Sequence, residues 1–287
     1  MSRIKVIECP RDAMQGFKKW IPTKNKILYI QSLLNVGFDV LDVGSFVSKR
    51  SIPQMKDSRK VLESLDLSST TSKLLYIVAN LRGALEACLY PEIDFLGFPF
   101  SVSENFQMRN TNKTINQSLE ELKKIISVCK SNDKEVVVYL SMGFGNPYGD
   151  EWNYEVLEKW ISVIKSIGVK TISISDTIGV ANPKNIDIVF KNSIKKFHDI
   201  EFGAHFHTKP SDCFEKIDSA YKAGCRRFDT AIQGYGGCPM AADELTGNFP
   251  TEKLITYMNQ KKVSININSL NFESSYNETV KLFSNYN

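Results

Sequence analysis

Two of the chain's three histidines lie two residues apart, in the segment Gly203-Ala204-His205-Phe206-His207. Residues 199–202 before it have the composition of a short β-strand, and side chains two apart on a strand point to the same face. The two imidazole rings could therefore meet at one point, and neutral imidazole is a common ligand of divalent metals. The spacing leaves open the alternative that both rings only form hydrogen bonds at the end of a strand.

Other side chains could complete such a metal site. A hard cation such as Mg²⁺ or Mn²⁺ takes about six ligands, most of them oxygen atoms. Asp12, His205, His207 and the amide oxygen of Asn248 would supply part of that set and leave room for a substrate. A structural zinc site is less favoured, because no second cysteine lies near Cys238 in the sequence.

The elements that must position these residues alternate along the chain. Runs typical of strands are followed by helical patterns, as a (β/α)8 TIM barrel in the α/β class requires. A doubly wound sheet is the alternative, but its glycine-rich first turn is absent. The predicted strands lie near residues 3–8, 39–43, 73–78, 93–99, 135–140, 170–174, 200–205 and 226–230. The predicted helices lie near residues 24–36, 53–65, 82–89, 115–131, 151–167, 183–197, 211–223 and 251–260. We assign residues 1–265 to the barrel and residues 266–287 to an extra C-terminal helix with a polar tail.

In such a barrel the active site lies at the carboxyl ends of the strands. Polar candidates follow the predicted strands in this order: Arg11, Asp12 and Gln15; Asp42; Tyr139 and Ser141; Asp176; His205 and His207; Cys238 and Asn248. Structural alternatives exist for several of them. Arg11 and Asp12 could form an ion pair that closes a turn. Asp42 could accept backbone hydrogen bonds, and Asp176 could cap the next helix. Cys238 stands in a Gly-Gly-Cys-Pro loop, which favours an accessible functional thiol.

Composition narrows the class of protein. The 287 residues carry a formal net charge of only +4, which argues against nucleic acid as the main partner. The N-terminus lacks the apolar stretch of a signal peptide, and no run of about 18 apolar residues predicts a membrane span. Six cysteines are dispersed without a Cys-x-x-Cys pair, which favours reduced thiols and a cytoplasmic location.

The chain resembles the hydroxymethylglutaryl-CoA lyases, which belong to a group of metal-dependent lyase and synthase barrels with a His-x-His motif. The resemblance runs in order from residue 10 to about residue 255. Its segments are Pro10-Arg11-Asp12-Ala13-Met14-Gln15, Ser45-Phe46-Val47-Ser48, Pro53-Gln54-Met55, Ser103-Glu104-Asn105-Phe106, Ser175-Asp176-Thr177-Ile178-Gly179-Val180, His205-Phe206-His207, Gly236-Gly237-Cys238-Pro239 and Gly247-Asn248-Phe249-Pro250-Thr251-Glu252.

The resemblance implies a retro-Claisen cleavage of 3-hydroxy-3-methylglutaryl-CoA, or a close acyl-CoA, to acetyl-CoA and acetoacetate. It implies an Mg²⁺ or Mn²⁺ ion to hold the substrate and a base, for which Asp12 and His205 are both candidates. Arg11 would stabilise the enolate oxygen, and Cys238 would protonate the enolate carbon on a mobile loop. Gln15 matches a residue near the metal, and Asp42 stands where relatives have a supporting glutamate. Residues matching the substrate pocket are Tyr139, Ser173 and Asp176.

This chain departs from the family pattern at three positions. Thr208 stands where an aspartate usually follows His-x-His, Asp42 is shorter than the usual glutamate, and Asn146 replaces a frequent cysteine. These changes leave room for a different acyl-CoA substrate. The alternatives are a Claisen-type acyl-CoA/2-keto acid synthase and a non-catalytic metabolite-binding barrel. We expect no nucleic-acid or membrane partner, the sequence leaves a homodimer open, and Lys49 and Arg50 are candidates for phosphate contacts.

Overall fold

A computed structural model describes residues 3–237 and 246–286 of the chain. Within these residues, eight parallel strands pair in sequence order, and the first strand also pairs with the last to close a barrel. The strands are β1 (Lys5–Glu8), β2 (Val40–Ser45), β3 (Lys73–Ile77), β4 (Ile93–Ser101), β5 (Glu135–Ser141), β6 (Thr171–Asp176), β7 (Glu201–Phe206) and β8 (Arg227–Thr230). This arrangement confirms the predicted (β/α)8 barrel.

Helices connect successive strands and cover the outside of the barrel. They are α1 (Pro10–Gln15), α2 (Thr23–Leu34), α3 (Ser58–Leu62), α4 (Leu81–Ala87), α5 (Glu104–Thr111), α6 (Ile115–Ser131), α7 (Tyr154–Ser166), α8 (Pro183–Lys196), α9 (Cys213–Lys222), α10 (Thr251–Gln260) and α11 (Ser269–Phe283). None of the helices in the described residues combines the length and apolar character that crossing a bilayer requires.

Three segments differ from the sequence-based expectation. Residues 10–15 form α1 rather than a simple turn, because a proline at the first helical position gives up an N–H that would have no partner there. Helix α5 was not predicted, and it begins where Ser103 Oγ accepts a hydrogen bond from the backbone N–H of Phe106 at 3.1 Å. The helix expected over residues 53–65 is split into a short 3₁₀ turn at Pro53–Met55 and α3.

The barrel has two separate apolar regions. The larger lies between the strands and the helices, and the smaller fills the barrel interior with Ile7, Cys9, Val40, Leu75, Val137 and Tyr139. Strands of parallel barrels are buried on both faces, which accounts for their nearly continuous apolar runs. These interior residues lie beneath the polar side chains at the carboxyl ends of the strands.

The C-terminal helix α11 packs against α2 at one side of the barrel. Phe283, near its end, is fully buried, and its ring lies 5.0 Å from the ring of Phe17 and 4.6 Å from that of Tyr235. Phe17 follows α1 and Tyr235 follows β8. The added helix therefore stabilises the two chain segments that lead to the predicted site.

Candidate active site

Asp12, His205 and His207 come together at the carboxyl ends of the strands, although they are far apart in sequence. One potential ligand atom from each residue lies within 4.8 Å of the others. Asp12 projects from α1, His205 lies near the end of β7, and His207 follows that strand. The structure thus brings together the three side chains that the sequence predicted to share a metal site.

Both histidine rings place Nδ1 near an oxygen atom. His207 Nδ1 lies 3.0 Å from the carbonyl oxygen of Thr177, which can only accept a hydrogen bond, so this nitrogen carries the proton. His205 Nδ1 lies 3.3 Å from Oδ2 of Asp229, an ion-pair distance, and has no hydrogen-bond partner among the described residues. These contacts leave the Nε2 atoms as the ligand atoms of both rings. Metal-binding histidines typically hold their second nitrogen against an oxygen acceptor in this way.

The surroundings of the cluster favour a neutral His207 and an ionised Asp12, which are the forms that bind a cation. Burial and the neighbouring His205 lower the pKa of His207 to about 4, so its ring is neutral near pH 7. Burial opposes ionisation of Asp12, but Arg11 and the two imidazoles outweigh it and lower the pKa of this carboxyl. For His205, burial is outweighed by contact with Asp229, which raises the pKa of the ring.

Arg11 forms the centre of a polar network beside this cluster. Its Nε and Nη2 atoms donate hydrogen bonds to the carboxylate of Asp42 at 3.1 and 2.5 Å. Its Nη1 atom donates to Asp12 at 2.9 Å and to Gln15 at 2.8 Å. A guanidinium has five N–H groups. Nε uses its one, Nη1 uses both, and Nη2 uses one of two, so a single N–H remains for a ligand.

The ionisation of Asp42 matters because it holds Arg11 in place. Burial raises the pKa of Asp42 to about 6, against the opposing effect of Arg11. The carboxyl is therefore mostly ionised near pH 7, as its contact with the guanidinium requires. The backbone-acceptor alternative for Asp42 does not describe its observed contacts, which go to Arg11.

Asn248 joins the cluster from the segment after β8. Its Nδ2 donates to Asp12 Oδ2 at 2.7 Å and to the carbonyl oxygen of Tyr235 at 2.9 Å, which leaves Oδ1 as its ligand atom. An isolated β-bridge pairs its backbone with that of His207. Gly236, with φ of +93°, passes so close that a Cβ atom would collide with the backbone oxygen of Asp12.

A cavity of about 450 Å³ opens above the cluster. Its lining includes Arg11, Asp12, Gln15, Ser141, Tyr139, His205 and His207 together with apolar groups and the basic side chains of Arg109 and Lys113. These two basic residues were not predicted from the sequence, because they come from α5 and the turn after it. The sequence-predicted phosphate contacts, Lys49 and Arg50, are exposed and lie outside this lining.

Tyr139 lies in the barrel interior and also lines the cavity. Its ring meets that of His205 edge-on, with centroids 5.4 Å apart. The hydroxyl is buried without a hydrogen-bond partner among the described residues, and burial raises the pKa of this phenol. A polar group left unpaired in this way is available to a bound ligand.

Three predicted substrate-binding residues, Asp42, Ser173 and Asp176, have other contacts and lie outside the cavity lining, Asp42 through its contact with Arg11. Ser173 is fully buried, and its hydroxyl donates to Asp229 at 2.5 Å. Asp176 accepts from Lys216 at 2.6 Å and from the backbone N–H of Ala181 at 3.0 Å. The capping residue of the following helix α8 is Asn182 rather than Asp176. The predicted thiol Cys238 lies outside the described residues.

The structural environment of two departures from the family pattern is also visible. Thr208 donates through Oγ1 to the carbonyl oxygen of Lys209 at 3.0 Å. Asn146 folds its own loop, since Nδ2 donates to the carbonyl oxygen of Asp150 at 2.9 Å and Oδ1 accepts from Tyr148 at 3.0 Å. Asn146 therefore stabilises the loop after β5 through local hydrogen bonds.

Comparison with known proteins gives a consistent result. The HMGL-like family profile matches residues 4–277. Hydroxymethylglutaryl-CoA lyase YngG of Bacillus subtilis is 30% identical over 258 residues, covering 90% of this chain and 85% of that protein. The cytoplasmic 3-hydroxy-3-methylglutaryl-CoA lyase of Rattus norvegicus is 30% identical over 89% of this chain and 74% of its own length. A solved HMG-CoA lyase from Acinetobacter baumannii, in complex with coenzyme A and 3-methylmalate, superposes with a TM-score of 0.91 at 26% identity, covering 98% of this chain and 92% of that chain.

Proposed function

Because the chain belongs to the HMGL-like family, we propose that it cleaves 3-hydroxy-3-methylglutaryl-CoA, or a close 3-hydroxyacyl-CoA, to acetyl-CoA and acetoacetate. The observation that carries this proposal is the convergence of Asp12, His205 and His207 within 4.8 Å, beside Arg11 and at the base of a cavity. The relatives named above are lyases, so neither the synthase nor the non-catalytic alternative is favoured.

We propose Mg²⁺ or Mn²⁺ as the cation of this site. Asp12, His205, His207 and Oδ1 of Asn248 would hold it, and their mixture of oxygen and imidazole donors suits these ions. In both rings Nδ1 faces an oxygen atom outside the cluster: the carbonyl oxygen of Thr177 for His207, and Oδ2 of Asp229 for His205. A bound cation would polarise the substrate's oxygen atoms and make its tertiary hydroxyl more acidic.

The hydroxyl proton needs an acceptor, and Asp12 and His205 are the candidates. The lowered pKa of Asp12 makes it a weak proton acceptor, whereas the pKa of His205 is raised by Asp229. His205 can accept the proton only at Nε2, because its Nδ1 faces Asp229, and Nε2 is also the atom that would bind the cation, so Asp12 and His205 both stay candidates for the base.

We propose that Arg11 stabilises the enolate that forms when the substrate is cleaved. When the carbon–carbon bond breaks, its electron pair becomes the enolate of acetyl-CoA, and negative charge develops on the thioester oxygen. Nη2 of Arg11, which carries the free N–H, is held by Asp42, and Arg11 helps to line the cavity. A donor held in advance stabilises such charge without reorganising. We propose that Cys238 then donates a proton to the enolate carbon.

A direct assay tests this function. The purified full-length protein, incubated with 3-hydroxy-3-methylglutaryl-CoA and Mg²⁺ or Mn²⁺, should release acetoacetate, and EDTA should abolish the release. Arg11→Gln should lower kcat by roughly 10²–10³-fold, the usual effect of removing one donor to a developing oxyanion. Arg59→Gln is a matched control, because Arg59 is an exposed arginine on α3 that pairs with Glu86. Metal-loaded protein that releases no acetoacetate would contradict the proposal.

A further inference from the structure

One buried carboxylate beside the cluster has no part in the proposed chemistry. Asp229 on β8 is fully buried, and its Oδ2 atom accepts the hydroxyl of Ser173 at 2.5 Å and lies 3.3 Å from His205 Nδ1, which has no hydrogen-bond partner among the described residues. Its other oxygen, Oδ1, has no hydrogen-bond partner among the described residues. We propose that Asp229 is the positioning residue that fixes the ring of His205, and that Ser173 holds Asp229 in place for that purpose.

The strand register explains how these side chains meet. His205 on β7 lies directly opposite Asp229 on β8, and one layer lower Gly203 lies between Ser173 on β6 and Arg227 on β8. Side chains two apart on each strand point into the barrel. Ser173 must therefore reach across β7 to contact Asp229.

Gly203 leaves that path open. A Cβ atom at this position would stand 2.8 Å from Ser173 Oγ and 3.0 Å from Arg227 Cδ, both closer than ordinary contact. The absent side chain lets the hydroxyl from β6 pass over β7 to the carboxylate on β8. The glycine belongs to the segment that carries both histidines, so the same short stretch supplies the ligands and the space for their support.

The charge of Asp229 is also balanced inside the barrel. Arg227 is almost completely buried, and its Nε lies 4.0 Å from the unpaired Oδ1 of Asp229. Its Nη1 lies 3.5 Å from Glu201 at the far end of the strands. A buried carboxylate is tolerated when a cation and hydrogen-bond donors accompany it. Arg227 and Ser173 meet both conditions, which allows Asp229 to face His205 as an acceptor.

The consequence concerns the direction of the ring. An acceptor fixed at Nδ1 selects the form of neutral imidazole that carries its proton there, and it leaves Nε2 directed at Asp12 and His207. Without Asp229 the ring would lose its fixed partner, and ligation at Nε2 would weaken. This inference rests on the proposed function only in assuming that a divalent cation binds at the cluster.

Metal binding tests the inference without any catalytic readout. We expect Asp229→Asn, measured by titration calorimetry with Mn²⁺ on the full-length protein, to bind Mn²⁺ about 10–100-fold more weakly than the unmodified chain. Ser173→Ala should show a smaller loss in the same direction. Glu201→Gln is the matched control, because Glu201 contacts Arg227 from the other end without touching His205, and its Mn²⁺ affinity should not change.

A second measurement reports the ring itself. The chain has only three histidines, so ¹⁵N–¹H correlation spectra of the metal-free protein, recorded at alkaline pH, can resolve each imidazole. His205 should carry its proton on Nδ1 in the unmodified protein and lose this preference in Asp229→Asn. Unchanged Mn²⁺ affinity together with an unchanged His205 spectrum would overturn the inference. Absence of Mn²⁺ binding to the unmodified protein would instead count against the proposed metal-dependent function, and the spectra would still decide the role of Asp229.

Discussion

The buried glutamate of β1 gives the structure a measurable dependence on pH. Glu8 is fully buried between the barrel and its helices. Its Oε1 accepts the backbone N–H of Ile232 at 2.8 Å, and its Oε2 lies 2.6 Å from Thr251 Oγ1. These two partners stand on either side of the chain segment that carries Cys238. Glu8 therefore joins both ends of that segment to the first strand.

Burial determines the protonation state of this carboxyl. It raises the pKa of Glu8 from 4.5 to about 8, against the opposing effect of its hydrogen bonds. Between these values the folded protein keeps a proton that the unfolded chain releases, so stability falls as the pH rises. The contribution is complete below pH 4.5 and is lost above about pH 8. At roughly 1.4 kcal/mol per pH unit, the interval corresponds to at most ~5 kcal/mol.

The substitution Glu8→Gln isolates this effect, because glutamine has the same shape and does not titrate. We expect urea unfolding to show the unmodified protein losing ~2–4 kcal/mol more stability than Glu8→Gln between pH 5 and pH 8.5. Other titrating groups act equally in both proteins and cancel in the comparison. Parallel pH profiles for the two proteins would refute the reasoning, since they would mean that Glu8 is already ionised in the folded state at pH 5.

Two further perturbations test the supports of the site and the proposed proton donor. Lys216→Met should destabilise the protein by ~3–5 kcal/mol in urea unfolding, because it leaves the carboxylate of Asp176 buried without its cation. The control is Lys222→Met, which removes an exposed partner of Asp218 and should cost at most ~1 kcal/mol. Equal losses of stability in the two variants would contradict this reasoning. Cys238→Ser should lower acetoacetate release by at least ~10²-fold, the usual contribution of a general acid, with Mn²⁺ affinity unchanged, and full activity would exclude the thiol as proton donor.

Helices with strong local signals were predicted most accurately. The spacing of apolar residues predicted a helix over residues 115–131, and α6 has these bounds, with Thr114 and Gln117 forming a capping box at its start. The expected helix over residues 251–260 also coincides with α10. Helices α1 and α5 are only six and eight residues long, too short to show a helical period.

The site was predictable to the extent that the barrel dictates it. Strand ends in a closed parallel barrel converge, so Arg11, Asp12, His205 and His207 had to share one rim once the fold was recognised. The direction in which a buried polar side chain points depends instead on a partner that is distant in sequence. Asp176 meets Lys216 across 40 residues of sequence, and no local pattern predicts that pair.

The contacts of Thr208 also depend on a segment that is distant in sequence. An aspartate at that position could orient a ligating histidine or cap the next helix, but Thr208 does neither in this chain. His207 is oriented by the carbonyl oxygen of Thr177, and the N-cap position of α9 is occupied by Asp212, without a capping bond from its side chain. Thr208 instead donates its backbone N–H to Gly247 at 2.9 Å and so ties the end of β7 to the segment bearing Asn248. Any residue type except proline can donate that backbone bond, so threonine at position 208 retains it.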